Sequence, residues 1–430
     1  MMAMLRRVAG RSFLLLAVLP VGARAQGAGI CALTLDSAGG TLRQQEVRPG
    51  VFHYFVGGGV WASCRGQSTR MRSDSVAWYA DRDRSDMVGH VVFQDSIARL
   101  TAARAVYFMR DERLEAYGDV LLRNVRTGTT LAGPNLTYWR AGAGRDTSEL
   151  SASQRPRVEY RGNGDSAGAE PYVINGDRVR FRGNSRAWAA GTVTIERTDF
   201  AARSDSARLD LDAGTGEFVG HADVTGRGNA GYALSGRYIQ YRLREDELVW
   251  VQAHEGAEAT SDDWRLIADT IEFDIAERQI QGGRAWGDTR RPEAASMAYT
   301  ITADSIALDA PGQRLRELRG FGRGHAASRS DSGRVEPDWM TGDTLVARFD
   351  STSVGASLSQ LVAVGRGRAF YRVADPARPG AAPGITYSRG QRIVARFTPV
   401  GLDRVDVIGD GDGLYLEPVA SPPAPPDSTR

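Results

Sequence analysis

A six-residue phrase that returns about ten times along the chain constrains its fold more than any other feature. The phrase is a small residue, a polar residue, any residue, an aliphatic residue, any residue, and an aromatic or apolar residue. Residues 268–273 (ADTIEF) are one copy. The copies follow one another at intervals of roughly 35 residues, within the range typical of repeat architectures. The sequence therefore predicts a stack of similar units rather than a globule.

The spacing of apolar residues within the phrase indicates β-strands. The fourth and sixth positions are apolar and the third and fifth are often polar, which is the period of two that half-buried strands show. The first position is Ser, Ala or Gly in every copy, which predicts a close approach of two backbones. A second phrase usually follows, in which apolar residues lead into a Gly turn, as in residues 114–120 (LEAYGDV). Each unit is predicted to supply two or three short strands joined by tight turns.

Stacking should bring equivalent positions of the phrase together, so we expect the fourth and sixth positions to line one apolar interior. The candidate interior residues are Val76, Trp78, Val106, Phe108, Leu136, Tyr138, Val179, Phe181, Leu209, Ile239, Tyr241, Ile271, Phe273, Ile306, Leu308, Leu345 and Ile393. Two interpretations remain open: a closed core, or a groove that holds an apolar ligand. Each methylene buried in such a groove contributes about 0.8 kcal/mol, so acyl chains would bind without specific polar contacts.

The N-terminal residues are typical of a secretory signal peptide. Arginines precede an apolar run at residues 13–19, and a small-x-small cleavage site follows at residues 23–25. The apolar run is shorter than the ~20 residues that a membrane-spanning helix needs. We therefore predict a signal peptide over residues 1–25 and a soluble exported protein.

The remaining chain is predicted to contain one long repeat region. Residues 26–50 are expected to be an N-terminal linker, residues 51–416 the repeats, and residues 417–430 a Pro-rich disordered tail. The stretch 141–170, rich in Gly, Ser and Ala, either divides the stack into two lobes or is a loop. Cys31 and Cys64 are the only cysteines, and in an exported protein such a pair favours a disulfide.

The sequence contains no pattern that indicates a catalytic centre or a metal site. Of its five histidines, the last four, His90, His221, His254 and His325, fall near the Gly turns of separate units, whereas zinc normally needs at least three protein ligands. The Gly-rich segment 226–231 lacks the following helix of a dinucleotide-binding turn, and residues 410–413 (DGDG) lack the further oxygen ligands of a calcium loop. Arg and acidic residues are interspersed, which argues against nucleic-acid binding. We expect a protein that is not an enzyme and has no cofactor, metal or nucleic-acid partner.

The pair of phrases, with residues 301–306 (ITADSI) as the first and residues 114–120 as the second, resembles the OstA-like lipopolysaccharide-transport family. That family includes the periplasmic bridge protein and the N-terminal domain of the outer-membrane assembly protein. Tyr138, Phe273 and the pair Tyr107-Phe108 stand where the family favours an aromatic residue. The resemblance implies an all-β, V-shaped β-jellyroll (β-taco) of stacked short antiparallel strands in about ten units.

The resemblance also implies a function. Lipopolysaccharide or another acylated lipid would be the ligand, with its lipid A acyl chains held by the interior residues named above. Related β-jellyroll proteins of the transport bridge, and further copies of this chain head to tail, would be partners through edge-strand pairing. The location would be the periplasm, in association with the outer membrane.

Two alternatives come from other classes of protein. One is a structural β-solenoid scaffold of the cell envelope, which would use the same stack with its core closed. The other is a parallel β-helix enzyme acting on polysaccharide. Such an enzyme should have shorter repeats and a cluster of Asp, Arg or Lys on one face, and the sequence shows no such cluster.

Overall fold

The computed structural model is all β, and its described residues form one antiparallel sheet. The structure describes residues 31–142, 144–161, 171–198, 200–210, 212–227, 231–245, 247–261, 264–329, 336–352, 355–373, 382–399 and 401–417. The predicted signal peptide, and the predicted tail apart from its first residue, lie outside these ranges. The described part of the chain contains no α-helix, and so none that could cross a membrane.

The strands all run antiparallel to their neighbours, which differs from the parallel pairing of a β-helix. In chain order they are β1 (Leu33–Ala38), β2 (Arg43–Arg48), β3 (Val51–Cys64), β4 (Arg70–Tyr79), β5 (Arg84–Gln94), β6 (Ala98–Phe108), β7 (Arg113–Asn124), β8 (Thr130–Trp139), β9 (Glu149–Ser153), β10 (Arg157–Tyr160), β11 (Tyr172–Asn175), β12 (Arg178–Arg182), β13 (Arg186–Glu196), β14 (Phe200–Asp210), β15 (Thr215–Gly226), β16 (Tyr232–Arg244), β17 (Glu247–Ser261), β18 (Trp264–Ala276), β19 (Gln279–Trp286), β20 (Glu293–Ser296), β21 (Tyr299–Thr302), β22 (Ser305–Asp309), β23 (Glu317–Ser328), β24 (Trp339–Thr352), β25 (Gly355–Val373), β26 (Gly384–Thr398), β27 (Gly401–Ile408) and β28 (Asp412–Leu416).

Each long strand changes register with its neighbour near its middle. Between β5 and β6, for example, Val88 pairs with Arg104 on one side of the shift and Val91 pairs with Ala102 on the other. The same shift recurs in the long pairs from β3–β4 to β25–β26. Elsewhere two short strands, such as β27 and β28, pair with the two halves of one long strand.

The register shifts mark a crease at which the sheet folds over. Phe93 pairs with Leu100 on one side of the crease, and Tyr107 lies seven residues further along β6. A straight strand would separate such positions by roughly 23 Å. The rings of Phe93 and Tyr107 are only 6.2 Å apart. The sheet is therefore folded along the crease into two facing walls.

Each wall has its own set of strands and its own outer margin. Wall A contains β2, β9, β12, β19, β22, β27 and the halves of the long strands in the same ladder. Wall B contains β1, β10, β11, β20, β21, β28 and the other halves. Turns between neighbouring wall-A halves form rim A, and turns between wall-B halves form rim B. The space between the two rims is the mouth of the fold.

The two sequence phrases together build the crease. The second residue of the first phrase, such as Asp74, lies against the Gly of the second phrase on the next strand. At Gly89 the φ angle is +79°, and a Cβ atom there would be 2.2 Å from an Asp74 carboxylate oxygen. The next residue, His90, completes the corner, with its Nδ1 2.8 Å from Asp74 Oδ2. Equivalent corners are Asp205 with Gly220 and His221, Asp304 with Gly322 and Arg323, and Asp343 with Gly365 and Arg366.

The crease also explains the small first residue of the phrase. In β14, Ala202 and Ser204 are buried before the crease and Ala207 and Leu209 after it, so the inward positions step by three rather than two. The residue before this step lies on the inside of the bend. A Cβ atom at the equivalent Gly236 would be 2.9 Å from a backbone oxygen of the neighbouring strand.

Part of the predicted organisation has to be corrected. Within residues 26–50, expected to be a linker, β1 and β2 pair with the two halves of β3. The strand signal of β2 was hidden because β2 is exposed throughout and lacks apolar alternation. In the described part of the stretch 141–170 the sheet is continuous, since β9 and β10 pair with strands on both sides. Cys31 and Cys64 form a disulfide next to the pairing of β1 with β3.

Candidate functional site

The two walls enclose one apolar cluster that extends through the whole sheet, from Cys31 to Ala395. The fold brings all but two of the candidate interior residues into this cluster. Those buried within it are Leu136, Tyr138, Val179, Phe181, Leu209, Ile239, Ile271, Phe273, Ile306, Leu308, Leu345 and Ile393, and those that pack against it half-buried are Val76, Trp78 and Tyr241.

Val106 and Phe108 are the two exceptions, because their copy of the phrase was placed one residue too far along the chain. Ala105 and Tyr107 belong to the cluster instead. Phe108 lies on the outer side of wall A, where the Arg113 guanidinium sits 4.1 Å from its ring centroid. Consecutive strand residues face opposite sides, so a shift by one residue exchanges the two faces completely.

Side chains fill the interior through most of its length. The rings of Phe93 on wall B and Tyr138 on wall A are 6.0 Å apart. Ile239 and Ile271 have no exposed surface. The rings of Trp264 on wall B and Phe273 on wall A are 6.3 Å apart. Contacts between the walls therefore close the interior both near the N-terminal end and around the middle of the sheet.

A cavity of about 210 Å³ lies between the walls near the C-terminal end of the sheet. Its lining includes Leu361, Ala395 and Leu402 from wall A and Ala369 and Tyr371 from wall B. The phrase accounts for part of this space, because the sixth residue of the last copy is Ala395, which lines the cavity, rather than an aromatic residue. Pockets that enclose a drug-sized ligand measure about 300–1,000 Å³, so this C-terminal cavity suits part of one apolar chain.

One polar pair borders the C-terminal cavity on rim B. Asp338 Oδ1 accepts a 2.9 Å hydrogen bond from Arg372, and burial raises the pKa of Asp338. Burial, together with the nearby Asp338, also raises the pKa of Tyr299. The Tyr299 ring lies 5.7 Å from the ring of Phe397 on wall A. The cavity thus combines an apolar lining with a partly buried ion pair at the mouth.

A buried polar cluster near the N-terminal end was missed by sequence reasoning. Asp95 and Glu112 are 7% and 2% exposed, and the side chain of Arg140 lies between them. Tyr107 donates a hydrogen bond to Glu112, and Tyr138 donates one to Asp95. Burial and the adjacent carboxylate raise the pKa of each tyrosine, so both hydroxyls keep their protons as donors. These charged residues lie at turns outside the repeated phrase, so its pattern carried no signal for them.

The two ends of the sheet leave strand edges unpaired within the described residues. At one end β1 and β2 each pair only with β3, and at the other β27 and β28 each pair only with β26. Large apolar side chains are more than half exposed at the second end, for example Leu414 and Tyr415. Both ends can therefore accept a further strand on each wall.

Comparison with known proteins gives no relative, since neither a protein-family model nor a curated protein matches this chain. The described residues contain no group of three or more His, Cys, Asp or Glu side chains that could hold a metal ion. His90 and His221 instead contact the aspartates of crease corners. The apolar interior with its C-terminal cavity is thus the candidate site.

Proposed function

We propose that the protein is an exported lipid-conduit protein of the lipopolysaccharide transport and assembly pathway, and not an enzyme. In this proposal the folded sheet is an OstA-like β-jellyroll of about ten units that holds lipid A acyl chains between its walls. The observation that carries it is one apolar cluster continuous from the first unit to the last. An acyl chain needs such a surface and little else, because its binding energy comes from buried methylenes.

The C-terminal cavity is where the proposed ligand would first find space. It lies between the walls at the mouth, and the Asp338–Arg372 pair offers both a donor and an acceptor to a polar head group. Binding of further acyl chains would require the walls to move apart, because the middle of the interior is filled by side chains.

The ends of the sheet support the proposed partners. If one more strand were added beyond β27 and β28 with the same antiparallel course, it would start at rim B, cross the crease and end at rim A. This is the course of β1 followed by β2 in a second copy or a related protein. Both new pairings would be antiparallel, as in the rest of the sheet. Wall A would then bring Arg43 and Arg48 of β2 near Asp403 and Asp406 of β27.

The proposal is tested by native mass spectrometry of the mature protein purified from the periplasm. Co-purified lipopolysaccharide or another acylated lipid is expected. Filling the cavity with Ala369→Leu and Ala395→Leu should reduce the bound fraction. Val364→Leu, on the same strand as Ala369 but 43% exposed, is the matched control. A lipid-free mass that does not change when lipid is added would overturn the proposal.

A structural scaffold of the cell envelope is the second candidate, and the packed middle of the interior favours it. A scaffold would bind no lipid, yet would still associate through its edge strands. The lipid-binding measurement therefore separates the two candidates, whereas self-association does not.

A further inference from the structure

Arg140 joins the two rims across the mouth near the N-terminal end. It follows β8 on rim A, where it donates a hydrogen bond to Glu112, and its Nε lies 3.4 Å from Asp95 of rim B. Tyr138 of wall A donates a 3.0 Å hydrogen bond to the same Asp95. The backbone N–H of Cys31, beside rim B, donates a 2.5 Å hydrogen bond to Glu112. We call Asp95, Glu112 and Arg140 the rim clasp.

The burial of the rim clasp indicates more than a stabilising role. Glu112 and Asp95 are almost fully buried, and only 12% of the Arg140 side chain is exposed. Buried ion pairs are often no more stabilising than apolar residues of similar volume, because the charges lose their hydration. Their best-attested use is to select one arrangement of packed elements over another. Here the selected arrangement is the closed mouth.

Space lies directly behind the rim clasp. A cavity of about 60 Å³ is lined in part by Ala98 and Tyr138. Asn124 of rim B, which also lines it, donates a 2.8 Å hydrogen bond to Asn184 of rim A. Polar contacts thus close the mouth here, whereas the rings of Tyr299 and Phe397 meet across it in the C-terminal third.

We propose that the rim clasp is a gate to the N-terminal half of the interior. While Arg140 bridges Asp95 and Glu112, an apolar ligand reaches only the C-terminal cavity. When Arg140 leaves Asp95, the rims separate and the small cavity behind the clasp widens toward the mouth. Separation also returns both carboxylates to water, which removes the penalty of leaving them buried without a cation. This inference rests on the proposed function, because the gate controls access to the same interior.

The gate is tested first by measuring the distance between rim A and rim B, a measurement that needs no ligand. Spin labels are attached at Asp111→Cys on rim A and Arg126→Cys on rim B, both at exposed positions, and pulsed electron paramagnetic resonance reports their separation. One short, narrow distance is expected with the clasp intact. Arg140→Met should give a longer, broader distribution. Because Arg140→Met leaves two buried carboxylates, the neutral triple variant Asp95→Asn/Glu112→Gln/Arg140→Met keeps the test interpretable if the single variant fails to fold.

The second measurement is binding of the fluorescent fatty acid cis-parinaric acid to the same proteins. Opening the gate should strengthen uptake about tenfold, the effect of losing one charge-assisted hydrogen bond from the closed state. Arg110→Met is the matched control, because Arg110 pairs with Asp83 on rim A alone, in an exposed ion pair. It should change neither the distance nor the uptake.

The two measurements test the gate and the lipid-conduit function independently. An unchanged rim distance in the triple variant would overturn the gate, whatever the lipid result. Longer distances without fatty-acid binding by any variant, wild type included, would instead overturn the lipid-conduit function and with it the role of the gate in access. Longer distances with stronger uptake are the result expected here.

Discussion

The rings of Trp264 and Phe273 stand 6.3 Å apart in a T-shaped contact although both residues belong to β18. Nine residues of straight strand would span roughly 30 Å. The strand therefore reverses at the crease between them, and its two ends pack against each other across the interior. One strand contributes to both walls, so a single strand of sequence supplies both the bend and a contact that packs the two walls together.

Replacing the glycine at a crease corner should destabilise the fold both because of its positive φ angle and because a new side chain would meet the neighbouring aspartate. Gly89→Ala is expected to lower the free energy of unfolding by about 1–3 kcal/mol, since a side chain there would be strained and would meet Asp74. Gly66→Ala is the control, because Gly66 has a similar φ of +73° and no atom within 4 Å of its would-be Cβ. Urea unfolding measures both variants. Equal losses would show that the Asp74 contact contributes nothing.

The alternation of the phrase and its Gly turns was sufficient to predict an all-β chain and most of its inward positions. It was insufficient at residues 102–108. Either Ala102 or Ala103 can be the small first residue of the phrase, and both choices place apolar residues at the fourth and sixth positions. Only the neighbouring strand resolves the frame: a Cβ atom at Gly118 would meet Ala103, as one at Gly89 would meet Asp74. The rim clasp depends on contacts between turns far apart in sequence, which periodicity does not encode.

Moving this copy of the phrase back by one residue predicts different roles for Phe108 and Phe273, which the sequence alone had placed at the same position of the phrase. Phe273→Ala should cost about 3–5 kcal/mol of unfolding free energy, because its side chain is fully buried between the walls. Phe108→Ala should cost less, because Phe108 lies on the outer side under Arg113. Chemical denaturation of the two variants is the measurement. A greater loss for Phe108→Ala would restore the original frame.

The disulfide should stabilise the N-terminal end of the sheet. Cys31 and Cys64 are separated by 33 residues, so the chain-entropy model gives about 3–4 kcal/mol. The double variant Cys31→Ser/Cys64→Ser is expected to unfold at correspondingly lower urea concentration than the oxidised protein. Adding reductant to the wild type should reproduce the loss, while leaving the variant unchanged. Identical unfolding curves for all samples would contradict the prediction.

Acid should weaken the fold partly through His325. Burial, and secondarily the charge of Arg291, lowers the pKa of His325 below its ordinary value of 6.5. The unfolded chain therefore binds a proton on this side chain at a higher pH than the folded protein does. Its contribution to stability is complete above pH 6.5 and is lost as the pH falls below that value. His325→Gln should make the unfolding free energy fall less between pH 7 and pH 5, and an unchanged slope would refute this.

Edge pairing between copies gives the last prediction. Leu414→Arg with Leu416→Arg places charge on two side chains of β28 that are 58% and 52% exposed. These changes should weaken head-to-tail association about tenfold or more, because stacking would bury the new charges beside apolar side chains of β1. Val88→Arg with Leu121→Arg is the matched control, since these side chains are 51% and 47% exposed but lie away from both ends. Sedimentation velocity over a concentration series measures association. If the wild type stays monomeric at every concentration, or both double variants associate equally, the ends of the sheet are not the interface.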